Sequence, residues 1–123
     1  MPTEAELAIL RALWAHGPST VRAVQEHLDA SDAGYTTVLK QLQIMLDKGL
    51  VRRDESQRAH IYEAAVEEDA TQRRLVDDLM DRAFGGSAQA LVMRALSTED
   101  VSPGELEEIR ALLDQIEADR TDD

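Results

Sequence analysis

The sequence contains no cysteine, and aromatic residues make up only 3% of its 123 positions. The absence of cysteine excludes disulfide scaffolds, thiolate metal sites and cysteine nucleophiles. Because aromatic residues are scarce, a core has to be built from Leu, Val, Ile, Met and Ala, which favours packed helices. No apolar run approaches about 18 residues, so we predict no membrane span. The N-terminal residues do not resemble a signal peptide, and we therefore expect a cytoplasmic protein.

Positive charge is also scarce. The 13 Lys and Arg residues stand against 25 Asp and Glu, which gives a net charge of −12. Taken alone, this charge argues against a nucleic-acid partner, because like charges repel. The distribution changes that conclusion: residues 1–66 carry 7 basic and 9 acidic residues, whereas residues 67–123 carry 6 and 16. Between residues 36 and 61, five basic residues outnumber three acidic ones, so one N-terminal segment is locally basic.

The N-terminal half predicts three helices. The first begins at a capping box, Thr3–Glu6, and ends at the breaker Gly17-Pro18. A second helix begins at Ser19 or Thr20. The third spans about residues 35–48 and ends at a glycine in a C-cap position.

Two short strands are predicted next, over residues 50–54 and 59–63. No glycine lies between them, which predicts a long or irregular loop rather than a two-residue turn. Three helices followed by a hairpin is the order of a winged helix-turn-helix, in which the third helix enters the major groove and the hairpin is the wing. We therefore predict a mainly α protein whose residues 1–66 form a winged-helix DNA-binding domain.

The C-terminal half predicts three amphipathic helices. The first spans about residues 67–84 and is broken by Gly85-Gly86, the second runs from a Ser87 cap through Leu96, and the third begins at the capping box Ser102–Glu105. Three thin helices cannot form a deep core alone, and a second copy of the chain is the simplest partner surface. We predict that residues 67–123 form a helical dimerisation domain. The predicted dimer contacts are Leu75, Leu79, Leu106, Ile109, Leu113 and Ile116.

The third predicted helix has a polar outer face. At about 100° per residue, its buried stripe comprises Val38, Leu42, Met45 and Leu46. The outer face then carries Thr36, Lys40, Gln43, Ile44 and Asp47, with Thr37 and Gln41 on its flanks. Such side chains can contact a thymine methyl, an adenine, a guanine or a phosphate. Judged from this helix alone, a solvent-exposed polar face without a binding role explains the pattern equally well. The predicted hairpin that follows favours the DNA-binding interpretation.

Arginines concentrate in the predicted hairpin. Arg58 lies at its tip or just beyond, where a wing meets the DNA backbone. Arg52 and Arg53 point to opposite faces of a strand, so we expect only one of them to approach DNA. The alternative is that these arginines form a solvated edge that prevents aggregation.

Catalytic patterns are absent from the sequence. The three histidines, His16, His27 and His60, have no metal-ligand spacing, and no Ser-His-Asp or Glu-x-x-His pattern is present. We therefore predict a protein that is not an enzyme and that needs neither a metal ion nor a cofactor.

Three segments are informative in combination: TEAELAILRALW at 3–14, YTTVLKQLQIMLDKGLVRR at 35–53 and RAHIY at 58–62. They resemble the penicillinase-repressor family, of the BlaI/MecI/CopY type, and the resemblance covers nearly the whole chain. It implies a dimeric winged-helix repressor on a promoter dyad, with Thr36, Thr37 and Lys40 on the base-reading helix and Arg58 in the wing. The inducer is left open between a sensor protein and a small molecule.

The sequence as a whole predicts a dimeric, sequence-specific transcriptional repressor. It would occlude a promoter by binding a palindromic operator in double-stranded DNA through the helix at 35–48 and the wing at 54–59. The alternative is a winged-helix protein-interaction module that never contacts DNA, which the overall negative charge favours.

Overall fold

The computed structural model describes residues 1–28, 34–97 and 100–121. Its helices are α1 (Glu4–His16), α2 (Val21–His27), α3 (Tyr35–Lys48), α4 (Glu68–Phe84), α5 (Ala88–Leu96) and α6 (Pro103–Thr121), and its strands are β1 (Val51–Asp54) and β2 (Ile61–Ala64). The predicted class is confirmed: the fold is mainly helical, with an antiparallel hairpin after three helices. The chain divides into two compact units, Met1–Val76 and Asp77–Asp123, and each is described by itself.

Side-chain caps fix where the first two helices begin. The Thr3 hydroxyl accepts a hydrogen bond from the Glu6 amide at 3.2 Å, and the Thr3 amide donates to the Glu6 carboxylate at 2.8 Å, so the predicted capping box is confirmed. The second helix begins after Thr20, whose hydroxyl accepts from the Ala23 amide at 3.1 Å. This decides the choice between Ser19 and Thr20.

The third helix has the predicted bounds. It ends at Gly49, which adopts a left-handed conformation with φ 79° and ψ 16° and whose amide donates to the carbonyls of Leu46 and Met45. Glycine adopts this conformation without the steric penalty that a Cβ atom brings. The chain therefore leaves α3 at a defined angle and enters β1 two residues later.

The first unit has one hydrophobic core. It is aliphatic apart from Tyr62, and it is formed by Ile9, Leu10, Leu13, Val21, Val24, Val38, Leu42, Met45, Val51 and Tyr62. Trp14 packs against this core, and its indole N–H donates to the Val66 carbonyl at 3.0 Å. That bond ties α1 to the segment that leads into α4.

The hairpin is shifted from its predicted strands. Val51 pairs with Ala64 and Asp54 pairs with Ile61, so the paired strands are 51–54 and 61–64 instead of 50–54 and 59–63. The first strand ends at Asp54 as predicted, where the Asp54 carboxylate accepts from the Ser56 amide at 2.9 Å and turns the chain out of the ladder, and the second strand begins only at Ile61, the partner of Asp54. The hydrogen bonds with Ser56 also lower the pKa of Asp54. The predicted long loop is confirmed and spans residues 55–60.

The hairpin is also bonded, through its backbone, to the linker between α1 and α2. The backbones of Ser19 and Tyr62 exchange two hydrogen bonds of 2.8 Å each. The linker between α1 and α2 thereby acts as a short third strand. This contact fixes the wing relative to the start of α2.

A partly exposed ion pair joins the start of α1 to the end of α3. Lys48 Nζ lies 2.8 Å from Glu6 Oε2, the Glu6 side chain is buried and the Lys48 side chain is about half exposed. Burial raises the pKa of Glu6, but hydrogen bonds from Lys48 and Thr3, together with the charge of Lys48, outweigh burial and leave this pKa below its ordinary value.

The remaining helices begin and end where the sequence predicts, to within one residue. Gly85 and Gly86, both with positive φ, follow α4, and Ser87 caps α5 by accepting from the Ala90 amide at 3.0 Å. Ser102 accepts from the Glu105 amide at 3.1 Å at the start of α6. Among the described helices, none has both the length and the apolar character that crossing a membrane requires. The sequence also predicts a loop at residues 31–34 and a frayed end at 122–123, and of these residues 31–33 and 122–123 lie outside the described part of the chain.

Candidate nucleic-acid interface

The outer face of α3 carries the predicted base-reading residues. Thr36, Lys40 and Gln43 are exposed, whereas Val38, Leu42 and Met45 on the opposite face are buried. The predicted orientation of the helix is therefore confirmed, and contact with DNA stays a prediction. The exposed Ile44 lies on the same outer face and adds an apolar group that could contact a thymine methyl.

The two flanking residues of α3 face a groove. Thr37 and Gln41 line an open groove of about 950 Å³, whose other walls come from α1 and from the first part of α4 within the first unit. Leu75, one of the predicted dimer contacts, lines the same groove. The structure thus separates the predicted residues of α3 into an outward group and a groove-facing group.

The arginines of β1 are held by acids of the hairpin. Arg52 Nε lies 3.1 Å from Glu63 Oε1 on the neighbouring strand. Arg53 hydrogen-bonds Tyr62 and pairs with Glu55, and these two contacts raise the pKa of its guanidinium. The guanidinium groups of Arg52 and Arg53 are therefore less available to an external anion than an unpaired arginine would be. Their contact with DNA stays a prediction.

Arg58 lines a cleft together with residues of α2 and α3. In the described part of the chain this exposed residue forms no salt bridge. It lines a cleft of about 390 Å³ between α2, the start of α3 and the wing. We call this the cationic cleft, and its lining includes Thr20, Arg22, Tyr35, Leu39, Arg58 and His60.

Arg22 is the residue that the sequence prediction missed. Its guanidinium carbon lies 5.9 Å from the centre of the Tyr35 ring, which is cation–π geometry. Arg22 is far from the wing in the sequence, and only the fold brings it to Arg58. The sequence did hold a signal for Arg22. It is a basic residue near the start of α2, and in this class of motif the helix that precedes the reading helix crosses the DNA backbone.

Two histidines are also brought together. The rings of His16 and His27 stack with centroids 3.6 Å apart and planes 8° from parallel, at the ends of α1 and α2. The prediction treated them as separate side chains. Residues 1–28, 34–97 and 100–121 contain no group of three or more His, Asp or Glu side chains that could hold a metal ion.

The predicted dimer contacts lie on open faces. Leu79, Leu113 and Ile116 are 48%, 53% and 41% exposed, and Leu75, Leu106 and Ile109 are half-buried. None of the described residues from 77 to 121 is buried. The second unit therefore has no core of its own within the described chain.

The comparison with known proteins decides the family. The family model described as penicillinase repressor matches residues 2–115. The chain belongs to the penicillinase repressor family. Across the family, the transcriptional regulator BlaI of Mycobacterium tuberculosis is 36% identical over 116 residues, which cover 92% of this chain and 83% of that protein.

Two further members of the penicillinase repressor family are more distant. The penicillinase repressor of Staphylococcus aureus is 24% identical over 118 residues, covering 91% of this chain and 90% of that protein. The methicillin resistance regulatory protein MecI of Staphylococcus aureus is 23% identical over 117 residues, covering 92% and 93%. The family predicted from the three sequence segments is confirmed.

A solved structure of a family member is also similar. The solution structure of monomeric Bacillus licheniformis BlaI in complex with the blaP half-operator has a TM-score of 0.49 and 21% identity. The match covers 56% of this chain and 85% of that chain.

Proposed function

We propose that this member of the penicillinase repressor family is a transcriptional repressor that binds double-stranded operator DNA through α3 and the wing at 54–59. One observation carries the proposal: in a chain of net charge −12, the exposed residues Thr36 and Lys40 of α3 lie in the same compact unit as the cationic cleft. Relatives named as a penicillinase repressor, a transcriptional regulator and a resistance regulatory protein support it.

The proposed mechanism is steric and needs no chemical step. Contacts from arginine and lysine to phosphates supply most of the affinity, and the polar face of α3 supplies the sequence preference. A repressor bound over a promoter denies polymerase access to it. A protein of this kind acts by binding alone, without a cofactor.

We further propose that the repressor is a homodimer that binds a palindromic operator. The support is the second unit, in which no described residue from 77 to 121 is buried. On α6 the apolar residues Leu106, Ile109, Leu113 and Ile116 recur at steps of 3, 4 and 3, the spacing of a helix seam that packs against another helix. Two copies then present two α3 helices to two half-sites.

The first test is a binding titration. Fluorescence anisotropy is measured with the wild-type chain and a labelled duplex from the promoter of its own gene, at several salt concentrations. Because phosphate contacts release counterions, we expect log affinity to fall linearly with log salt, by about 0.9 per phosphate contacted. A scrambled duplex should bind more weakly. Absence of binding to either duplex would contradict the proposal and favour a protein-interaction module.

The second test concerns the dimer. Leu113→Asp places a charge in the α6 seam, and we expect the variant to sediment at the monomer mass and to bind the full operator weakly. Ala111→Asp is the matched control, because residue 111 lies on the opposite side of α6 from this seam, and we expect it to remain dimeric. An unchanged sedimentation mass for Leu113→Asp would show that the seam is not the interface.

A further inference from the structure

The cationic cleft joins two arginines from separate elements of the fold. Arg22 comes from α2 and Arg58 from the loop at 55–60. We propose that this cleft binds one backbone phosphate of duplex DNA, with Arg22 and Arg58 as the contacting residues and Tyr35 as a positioning residue for Arg22. The inference rests on the proposed function and assigns a binding role to α2, which the sequence prediction did not.

The charges of the two arginines are available to an external anion. Among the described residues, neither Arg22 nor Arg58 forms a salt bridge, whereas Arg52 and Arg53 pair with Glu63 and Glu55. An arginine that is already paired gives up one interaction when it binds phosphate, so its net gain is small. An unpaired arginine loses only its hydration, and a guanidinium is weakly hydrated for a cation.

Tyr35 holds the Arg22 side chain in the cleft. The ring is 45% exposed, and the Arg22 guanidinium carbon lies 5.9 Å from its centre. A cation–π contact restricts a long side chain before a ligand binds, so less conformational entropy is lost on binding. Such a contact uses the charge of the guanidinium and leaves its N–H donors for a phosphate.

The position of the cleft favours a phosphate of the DNA duplex. Leu39 lines the cleft, and the next residue, Lys40, lies on the exposed face of α3. The first turn of α3 begins at Gly34, which supplies no side-chain cap, so its amides also favour an anion nearby. The DNA backbone runs along the edge of the groove that the reading helix enters. A phosphate bound between α2 and the wing, beside that helix, therefore matches the position of the DNA backbone.

The test compares two variants of the whole chain that each remove one positive charge, one inside the cleft and one outside it. Arg22→Gln is expected to weaken binding about tenfold per protomer, the size of one charge-assisted contact, and to reduce the salt slope by about 0.9 per protomer. Because a phosphate carries no sequence information, the loss should be the same for the operator and for a scrambled duplex. Arg11→Gln is the control, since Arg11 is exposed on α1 and outside the cleft, and it should change neither quantity.

Substitutions that keep the charge test the positioning role of Tyr35. Tyr35→Leu should lower affinity several-fold with an unchanged salt slope, because the Arg22 charge remains but is less ordered. Tyr35→Phe should restore wild-type affinity, because the ring is retained. Arg22→Lys should keep the salt slope and lose affinity, since lysine binds phosphate as a point charge without the planar geometry of the guanidinium. Melting temperatures of all variants should match the wild type, and a Tyr35→Phe variant as weak as Tyr35→Leu would contradict the role of the ring.

The outcomes separate this inference from the function on which it rests. If the wild type binds no duplex, the proposed function and the phosphate site both fail. If the wild type binds and Arg22→Gln behaves like Arg11→Gln, only the phosphate site is overturned. If Arg22→Gln weakens operator binding alone, Arg22 reads a base, and the assignment to phosphate is wrong.

Discussion

Lys40→Glu combined with Thr36→Ala is expected to abolish operator binding while secondary structure, melting temperature and dimer mass stay at their wild-type values. Both residues are exposed on α3, and neither belongs to the hydrophobic core. A lost base contact costs about 1–3 kcal/mol, and the new carboxylate adds repulsion by the phosphates. We therefore expect affinity to fall about 100-fold or more for each protomer, measured by fluorescence anisotropy at low salt.

The control for this double variant is Arg120→Glu. It makes the same reversal of charge at an exposed position in the last turn of α6, and we expect it to leave DNA affinity unchanged. Single variants separate the two roles: Lys40→Glu should weaken binding to every duplex, whereas Thr36→Ala should change the ratio between operator and scrambled DNA. Operator binding that survives the double substitution would show that α3 is not the reading helix.

Local sequence signals predicted most of the helical fold. The helix boundaries follow from caps that act within a few residues, such as Thr3 with Glu6, Ser87 with Ala90, and the left-handed Gly49. The buried and exposed faces of α3 follow from helical periodicity alone, which is why Lys40 was correctly placed outside. These features depend on neighbours in sequence, so tertiary structure does not alter them.

Contacts between distant residues were not predicted. The bridge between Ser19 and Tyr62 and the cation–π contact of Arg22 with Tyr35 join segments whose proximity exists only after folding. The limits of the second strand were wrong for a related reason: they depend on the pairing of Asp54 with Ile61 and of Val51 with Ala64, which side-chain alternation within one strand does not reveal. The reading face was therefore predictable, and the cationic cleft required the tertiary structure.

Glu6→Ala is expected to destabilise the fold of the first unit. It leaves Lys48 without its partner at 2.8 Å and removes the acceptor for the Thr3 amide. Loss of a hydrogen bond to a charged group costs about 1.5–3 kcal/mol, and because the Lys48 side chain is half exposed and regains hydration when it is unpaired, we expect about 2 kcal/mol from chemical denaturation. Glu4→Ala, in the same exposed first turn of α1, is the control and should cost less than about 1 kcal/mol.

The same carboxylate makes stability depend on pH with a defined sign. The pKa of Glu6 in the folded chain is lowered from its ordinary value of 4.5, so the folded state favours the charged form more than the unfolded state does. Its contribution is complete above pH 4.5 and is lost as the pH falls through the lowered folded value. Glu6→Gln keeps a hydrogen-bonding side chain without the titration, so the difference in unfolding free energy between wild type and Glu6→Gln should shrink as the solution is acidified through this window. A difference that stays constant would show that the ionised carboxylate does not stabilise the fold.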